Sequence, residues 1–177
     1  MSVGAVVLAA GAATRFGSPK QQLLLDDVLE RARRSSAIDE VVVVVGAYPV
    51  ETDARTVDCP EWERGPGASL RCGLAALASE TEGAVVLLAD GPDLDPRAID
   101  RVVDAWRAGA GDVLAASYDG ERNHPVLLGR SAWSAVPDEG ARALEPVLVE
   151  CGDLSPPGDV DFADELRGRW RRTQAEG

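Results

Sequence analysis

The sequence has few cysteines. There are three in 177 residues, Cys59, Cys72 and Cys151. They are too few and too scattered for a disulfide framework, and no two of them have the short spacing of metal ligands. We therefore expect all three to be reduced and to take no part in chemistry.

A long hydrophobic run is also missing. No stretch reaches the roughly 20 apolar residues that span a bilayer, and the first residues lead into an apolar run with no basic leader or cleavage site. Hydrophobic residues nevertheless make up 45% of the chain, which excludes a disordered protein. These features predict a soluble, cytoplasmic protein with no membrane partner.

Positive charge is scarce, because 18 lysines and arginines face 30 aspartates and glutamates, a formal net charge of −12. The long-range field of such a chain repels polyanions, so nucleic acid is not expected as a partner. A small phosphorylated ligand is still compatible, since local cations, backbone donors and a divalent metal suffice to bind it.

What the chain does have is a series of short, valine-rich segments. Residues 41–45 are five valines in succession, and residues 84–89 and 112–116 are similar apolar runs. Such runs are typical of strands covered on both faces. Between them lie helical stretches, so the alternation predicts an α/β fold, a three-layer α/β/α sandwich with a mostly parallel, Rossmann-like sheet. The length fits one domain over residues 1–177.

Two helices have boundary signals. Asp95 before Pro96 predicts an N-cap and first helical residue, with the helix running through Trp106. A second helix is predicted from residue 28 to about residue 36, with two aspartates at 26–27 near its positive end.

The stretch that follows the first apolar run is a candidate triphosphate site. Residues 9–12 are three alanines and one glycine, which let a ligand approach the backbone N–H groups closely. Arg15 and Lys20 add positive charge a few residues later. The alternative is a plain strand-to-helix turn with two solvated cations.

This stretch matches neither of the two best-known phosphate loops. Five residues separate Gly11 from Gly17, and Ser18 rather than lysine comes next, which excludes a Walker A loop. The dinucleotide fingerprint Gly-x-Gly-x-x-Gly is absent too. The stretch instead resembles the Leu-Ala-Ala-Gly-x-Ser-x-Arg-x-Gly-x-x-Lys motif of nucleotidyltransferases with a molybdenum-cofactor-transferase-like fold. The matching positions are Leu8, Ala9, Ala10, Gly11, Arg15, Gly17 and Lys20. Ala13 stands where the family usually has serine.

A second block, residues 57–74, resembles the family stretch Asn-Pro-x-Trp-x-x-Gly-x-x-x-Ser-Leu-x-x-Gly-Leu. The resemblance implies that Ser69 lies close to the base and sugar of the nucleotide. The alternative is that Ser69 only caps the helix that follows the Gly65–Gly67 loop. Cys59 occupies the family's asparagine position.

The third block supplies an aspartate. Asp90 follows a buried strand, and ligands of open α/β sheets bind beyond the carboxyl ends of their strands. Residues 88–92 resemble the family's Leu-Ala-Asp-Met-Pro, whose aspartate holds magnesium. Near the end of the chain, residues 159–166 resemble Asp-Ile-Asp-Thr-Pro-Glu-Asp-Leu, which implies that Asp161 is a second Mg²⁺ ligand.

Two further matches imply contacts with the acceptor. His124 falls in a match to Gly-His-Pro-Val-Leu, and Arg142 in a match to the Gly-Asp-x-Gly-Ala-Arg-x-Leu-Leu segment of the molybdopterin cytidylyltransferase branch. A structural role for His124, and a surface ion pair of Arg142 with Asp138, are the alternatives.

The blocks occur in the family's order over most of the chain. They imply a Mg²⁺-dependent nucleotidyltransferase, in which an acceptor phosphate attacks a nucleoside triphosphate and pyrophosphate leaves. Arg15, Lys20 and Asp90 are the implied catalytic residues. The implied nucleotide-binding residues are Leu8, Ala9, Ala10, Gly11, Arg15, Lys20, Ser69 and Asp90.

Three functions fit the resemblance. The first is transfer of CMP from CTP to molybdopterin. We favour CTP over GTP because Leu-Ala-Ala-Gly is usual in pyrimidine-using members, and the methyl group of Ala10 narrows the base pocket. The second is a guanylyltransferase or a sugar-phosphate cytidylyltransferase of the same fold. The third is a non-catalytic nucleotide- or cofactor-binding module that serves a molybdoenzyme.

Overall fold

A computed structural model describes residues 1–11 and 20–158, and of residues 20–23 the backbone alone. Its centre is a seven-stranded sheet in the order β3-β2-β1-β4-β6-β5-β7. The strands are β1 (Ser2–Ala9), β2 (Glu40–Val45), β3 (Arg55–Asp58), β4 (Thr81–Leu88), β5 (Val113–Tyr118), β6 (Glu121–Gly129) and β7 (Val147–Glu150). The first four are parallel, β6 is antiparallel to both of its neighbours, and β7 is parallel to β5.

Three α-helices cover the sheet: α1 (Lys20–Arg34), α2 (Pro66–Ala76) and α3 (Pro96–Arg107). Short 3₁₀ turns lie at Trp62–Arg64, Arg130–Ala135 and Ala141–Ala143. No helix in the described part of the chain is both long enough and apolar enough to cross a membrane.

The buried strands form where the valine-rich runs predicted them. Val42, Val43 and Val44 of β2 have no exposed surface, as expected for β-branched side chains in a strand that is covered on both faces. The start of α3 is also confirmed: the Asp95 carboxylate accepts a hydrogen bond from the Arg97 N–H at 2.9 Å, and Pro96 is the first helical residue.

Two cores confirm the three-layer sandwich. Alternate residues of β1 point to opposite faces of the sheet. Val3, Ala5 and Val7 pack with α1 and α3. Val6 packs on the other face with α2. The mostly parallel sheet therefore has helices on both faces.

The predicted bounds of α1 are wrong. The helix begins at Lys20 rather than at residue 28, and it ends at Arg34. Asp26 and Asp27 lie within the helix, although the sequence analysis placed them at its positive end. Leu25, Val28, Leu29 and Ala32 recur at helical spacing and are buried against the sheet, so the apolar stripe, not the acidic pair, determines the extent of the helix.

The expectation of three reduced cysteines is wrong for two of them. Cys59, just after β3, and Cys72, in α2, form a disulfide with a Cα–Cα distance of 5.9 Å. Cys151 is free and buried. Sequence spacing did not suggest the pair, because β3 and α2 approach each other only once the intervening turn packs on the sheet.

Candidate functional site

The chain places β2 and β3 on one side of β1 and β4 on the other, so the strand order switches between β1 and β4. The carboxyl ends of these two parallel strands lie side by side. Leu8 pairs with Leu88, and the Ala89 N–H donates to the Leu8 carbonyl at 3.1 Å. Ala10 and Asp90 follow the two strands. Such a switch point is where open α/β sheets bind ligands.

A cavity of about 370 Å³ opens there, and we call it the Ser69 cavity. It brings together most of the residues that the family resemblance assigned to the nucleotide. Its lining residues are Leu8, Ala10, Gly11, Trp62, Glu63, Gly65, Pro66, Ser69, Leu88, Ala89 and Asp90. Ala9 is buried at the end of β1 and does not line the cavity.

A second cavity of about 360 Å³, the His124 cavity, lies beside the first. It contains both residues that the resemblance assigned to the acceptor. Its lining residues are Leu8, Pro66, Leu70, Val86, Leu88, Arg122, Asn123, His124, Val126, Glu139, Gly140, Ala141 and Arg142. Leu8, Pro66 and Leu88 line both cavities, so the two are continuous at the switch point.

Ser69 lies in the first turn of α2. The helix begins at Pro66, and Gly65 is its N-cap residue with φ 134°. The alternative that Ser69 is the cap is therefore wrong. Ser69 is 4% exposed and belongs to the wall of its cavity, which leaves the binding role as the prediction for this side chain.

Asp90 is partly buried and lines the Ser69 cavity at the end of β4. Within residues 1–11 and 20–158, no three His, Cys, Asp or Glu side chains cluster as a complete metal site. The second metal ligand that the resemblance implies, Asp161, lies outside the described residues. So do Arg15 and the side chain of Lys20.

His124 is a neutral group in this site. Burial lowers the pKa of its imidazole to about 4, and the charge of Arg122 acts in the same direction, whereas the charge of Asp90 opposes it. At neutral pH the ring therefore offers a hydrogen-bond donor and an acceptor but no positive charge. The backbone around it is fixed, since the Tyr118 hydroxyl donates to the His124 carbonyl at 3.0 Å.

Positive charge in the His124 cavity comes from Arg122 and Arg142. The Arg122 guanidinium donates to the carbonyls of Ala141 and Leu144 at 2.7 and 2.8 Å, and so holds the 141–144 turn against β6. Nothing in the sequence pointed to Arg122, because its partners lie some twenty residues away. Arg142 does not form the ion pair with Asp138 that was the alternative for it. Arg64 and Arg71 bind Asp138 instead.

Trp62 was part of a matched motif but had no assigned role. Its side chain packs on Gly46, where an added Cβ would lie 2.6 Å from the Trp62 Cγ. A glycine is therefore needed after β2 for the indole to lie against the strand end and form one wall of the Ser69 cavity.

Comparisons with known proteins identify the family of this chain. A model of the MobA-like NTP transferase domain matches residues 5–150. The bifunctional protein GlmU of Sorangium cellulosum strain So ce56 is 33% identical over 147 residues, 71% of this chain. The chain spans only 30% of that relative's length.

Solved structures of other proteins share the fold, and two are given as examples. Rv0371c from Mycobacterium tuberculosis H37Rv, crystallised in complex with manganese, has a TM-score of 0.69 and 24% identity over 95% of this chain and 97% of its own. CMP:2-keto-3-deoxy-manno-octonic acid synthetase complexed with CTP has a TM-score of 0.76 and 12% identity over the full length of both chains. Because the family model matches residues 5–150, most of this sequence, the chain belongs to the MobA-like NTP transferase domain family.

Proposed function

We propose that the protein transfers CMP from CTP to the phosphate of molybdopterin and releases pyrophosphate. The observation that carries this proposal is the continuity of the two cavities at the switch point, where Leu8, Pro66 and Leu88 line both. A transferase of this kind needs two substrates held in contact, and two joined cavities provide that arrangement.

The nucleotide occupies the Ser69 cavity. Ala10 and Gly11, small residues in the wall of that cavity, let the triphosphate approach the backbone closely. Arg15 and the side chain of Lys20 lie outside the described part of the chain, and they are assigned to the β- and γ-phosphates on the motif alone. Ser69 and the backbone at Ala10 frame the base and sugar.

Molybdopterin, or another phosphorylated acceptor, occupies the His124 cavity. Arg142 and Arg122 supply the positive charge that an anionic acceptor requires. His124 contributes as a neutral hydrogen-bonding group, because its pKa of about 4 leaves it uncharged at neutral pH. The aliphatic side chains of Leu70 and Val86, which line this cavity, suit a flat ring system.

Asp90 and Asp161 are the residues that would hold Mg²⁺. Asp90 lines the same cavity as Ser69, and carboxylate oxygens are hard ligands of the kind that Mg²⁺ prefers. The bound ion neutralises part of the triphosphate's negative charge. The manganese in the Rv0371c structure supports a divalent metal in this fold.

The reaction needs no nucleophile from the protein. An oxygen of the acceptor phosphate forms a bond to the α-phosphorus of CTP, and the bond between that phosphorus and the oxygen of the departing pyrophosphate breaks. The chain contributes position and compensating charge, which dominate phosphoryl-transfer catalysis generally.

The test is a thermal-shift screen of the four ribonucleoside triphosphates with Mg²⁺, followed by pyrophosphate release with molybdopterin. Binding to the folded state alone raises the apparent stability, so CTP should give the largest shift. Release that is faster with GTP, or that needs a sugar phosphate in place of molybdopterin, would assign the second function. Binding without turnover would favour a module that delivers cofactor to a molybdoenzyme.

A further inference from the structure

Asp138 belongs to the same matched segment as Arg142, but the motif assigned it no role toward either substrate. Its carboxylate receives Arg71 at 2.5 Å and Arg64 at 3.3 Å. Arg71 also donates to the Val136 carbonyl at 2.9 Å, and Arg64 is held by Glu61 at 2.7 Å. These contacts join the 136–138 segment to α2 and to the 3₁₀ turn that precedes it.

The backbone of the same segment makes a closer contact. The Gly67 N–H donates to the Asp138 carbonyl at 2.9 Å. A Cβ on Gly65 would lie 2.5 Å from that carbonyl oxygen, and one on Gly67 would overlap the Pro137 carbonyl. The backbone of the first turn of α2 therefore packs directly against the backbone of residues 137–138, with no side chain between them.

This contact lies between the two cavities. Gly65, Pro66 and Ser69 line the Ser69 cavity, whereas residues 139–142 line the His124 cavity. Asp138 itself lines neither. The ion pairs are largely exposed, with 43% of the Asp138 side chain, 55% of the Arg64 side chain and 34% of the Arg71 side chain accessible. Exposed pairs of this kind add little to folding stability, so their main effect is on geometry.

We propose that Asp138 is a positioning residue for the nucleotide: it fixes the first turn of α2, and so Ser69, relative to the sheet end that carries Ala10 and Asp90. The inference rests on the proposed function, since it takes the Ser69 cavity to be the nucleotide site. Arg71 and Arg64 keep the pKa of the Asp138 carboxyl below its ordinary value, so the carboxylate stays charged throughout the pH range of an assay.

The experiment compares Asp138→Asn with Asp153→Asn as a matched control. Asp153 is also an exposed aspartate held by an arginine, with Arg101 at 2.6 and 2.7 Å, but it lines neither cavity. We expect Asp138→Asn to raise the Kd and KM for CTP about 5- to 20-fold, the range for loss of a charge-assisted contact. We expect kcat at saturating CTP to change less than twofold. Asp153→Asn should leave all three within twofold of the wild type.

Arg71 variants supply the second measurement. Arg71→Ala should reproduce the loss of affinity, Arg71→Lys should recover a large part of it, and Asp138→Asn with Arg71→Ala should be no worse than either single change. If Asp138→Asn does not fold, the two Arg71 variants test the positioning role by themselves. Wild-type CTP affinity in Asp138→Asn or in Arg71→Ala overturns the inference, as does an equal loss in Asp153→Asn. A wild type that binds no triphosphate overturns the proposed function instead.

Discussion

Asp90 is the residue with the clearest predicted effect on chemistry. Asp90→Asn replaces a charged metal ligand by a neutral amide of the same size, so the fold should persist while metal-dependent pyrophosphate release falls by two orders of magnitude or more, about 3 kcal/mol in the barrier. Pyrophosphate release and circular dichroism check the two parts. Asp26→Asn, on the exposed side of α1, should leave release unchanged. Wild-type release in Asp90→Asn would remove this carboxylate from the site.

Ala10 is the residue predicted to select the base. Its side chain is 4% exposed and lies in the wall of the Ser69 cavity, where a methyl group crowds a purine more than a pyrimidine. Ala10→Gly should therefore relax the preference for CTP over GTP, a discrimination of roughly 1–3 kcal/mol for one such steric difference. The ratio of kcat/KM for the two nucleotides measures it. An unchanged ratio in the variant would show that the base is selected elsewhere.

Gly73 shows at the level of an element why the second motif carries a glycine. A Cβ at this position of α2 would lie 2.8 Å from the Val44 Cγ2 and would overlap the Val6 Cγ1. Both valines are fully buried, so α2 can approach β1 and β2 this closely only through a glycine.

Gly73→Ala is accordingly predicted to destabilise the protein. Alanine is favoured over glycine in a helix by about 1 kcal/mol, but overpacking a core costs about 1–3 kcal/mol, so the free energy of unfolding should fall. Urea titration measures it. Ala75→Gly, at an exposed position of the same helix, should lower stability by about 1 kcal/mol through propensity alone. A gain in stability for Gly73→Ala would mean that the helix can move away from the sheet.

The disulfide between Cys59 and Cys72 ties the end of β3 to α2 across 13 residues of sequence. A cross-link that closes a loop of this length stabilises the folded state by about 3 kcal/mol in the chain-entropy model. A dithiol reductant should therefore lower the unfolding free energy of the wild type by about that amount, and it should have no effect on the Cys59→Ser, Cys72→Ser double variant. Wild-type protein with three alkylatable thiols after unfolding without reductant would contradict the bond.

The elements that the sequence predicted well are those with local signals. The valine runs of β2 and β4 and the Asp95–Pro96 start of α3 each depend on a few adjacent residues. The Asp119–Gly120 turn between β5 and β6 also has a local signal, an Asp-Gly pair, and both residues have positive φ, 53° and 83°, as a two-residue type I′ hairpin turn requires. The start of α1 was predicted wrongly because the two aspartates at 26–27 were interpreted as the positive end of the helix. The apolar stripe that determines the true bounds is visible only over several turns.

For the whole molecule, the sequence predicted the three layers but not the strand order. The placement of β6 between β4 and β5 depends on pairings between distant residues, which no single block of the chain contains. The site residues show the same difference between local signals and contacts over long sequence distances. Motifs brought Ala10, Ser69 and Asp90 into one prediction, and the structure places all three on one cavity. Arg122 and Asp138 act through residues far away in sequence and were not assigned from it.

The order of the elements along the chain also separates the two cavities. The residues that line the Ser69 cavity come from the ends of β1 and β4, from residues 62–65 and from the first turn of α2, and all of them precede α3 in the chain. Most of the polar wall of the His124 cavity comes afterwards, from β6 and residues 139–142. A recombinant that exchanges residues 121–158 with those of a relative leaves Asp161 and the residues before α3 in place, so it should acquire the relative's acceptor and keep its own nucleotide.

The junction that such an exchange must preserve is small. Residues 137–138 have to pack against the first turn of α2. The exchanged sequence therefore needs an aspartate at position 138, and its backbone there must leave room for Gly65 and Gly67. Recombinants that keep this pairing should remain active with the new acceptor, measured by pyrophosphate release, and those that lose it should bind nucleotide poorly. Acceptor preference can then change in the course of evolution without rebuilding the half of the protein that handles the triphosphate.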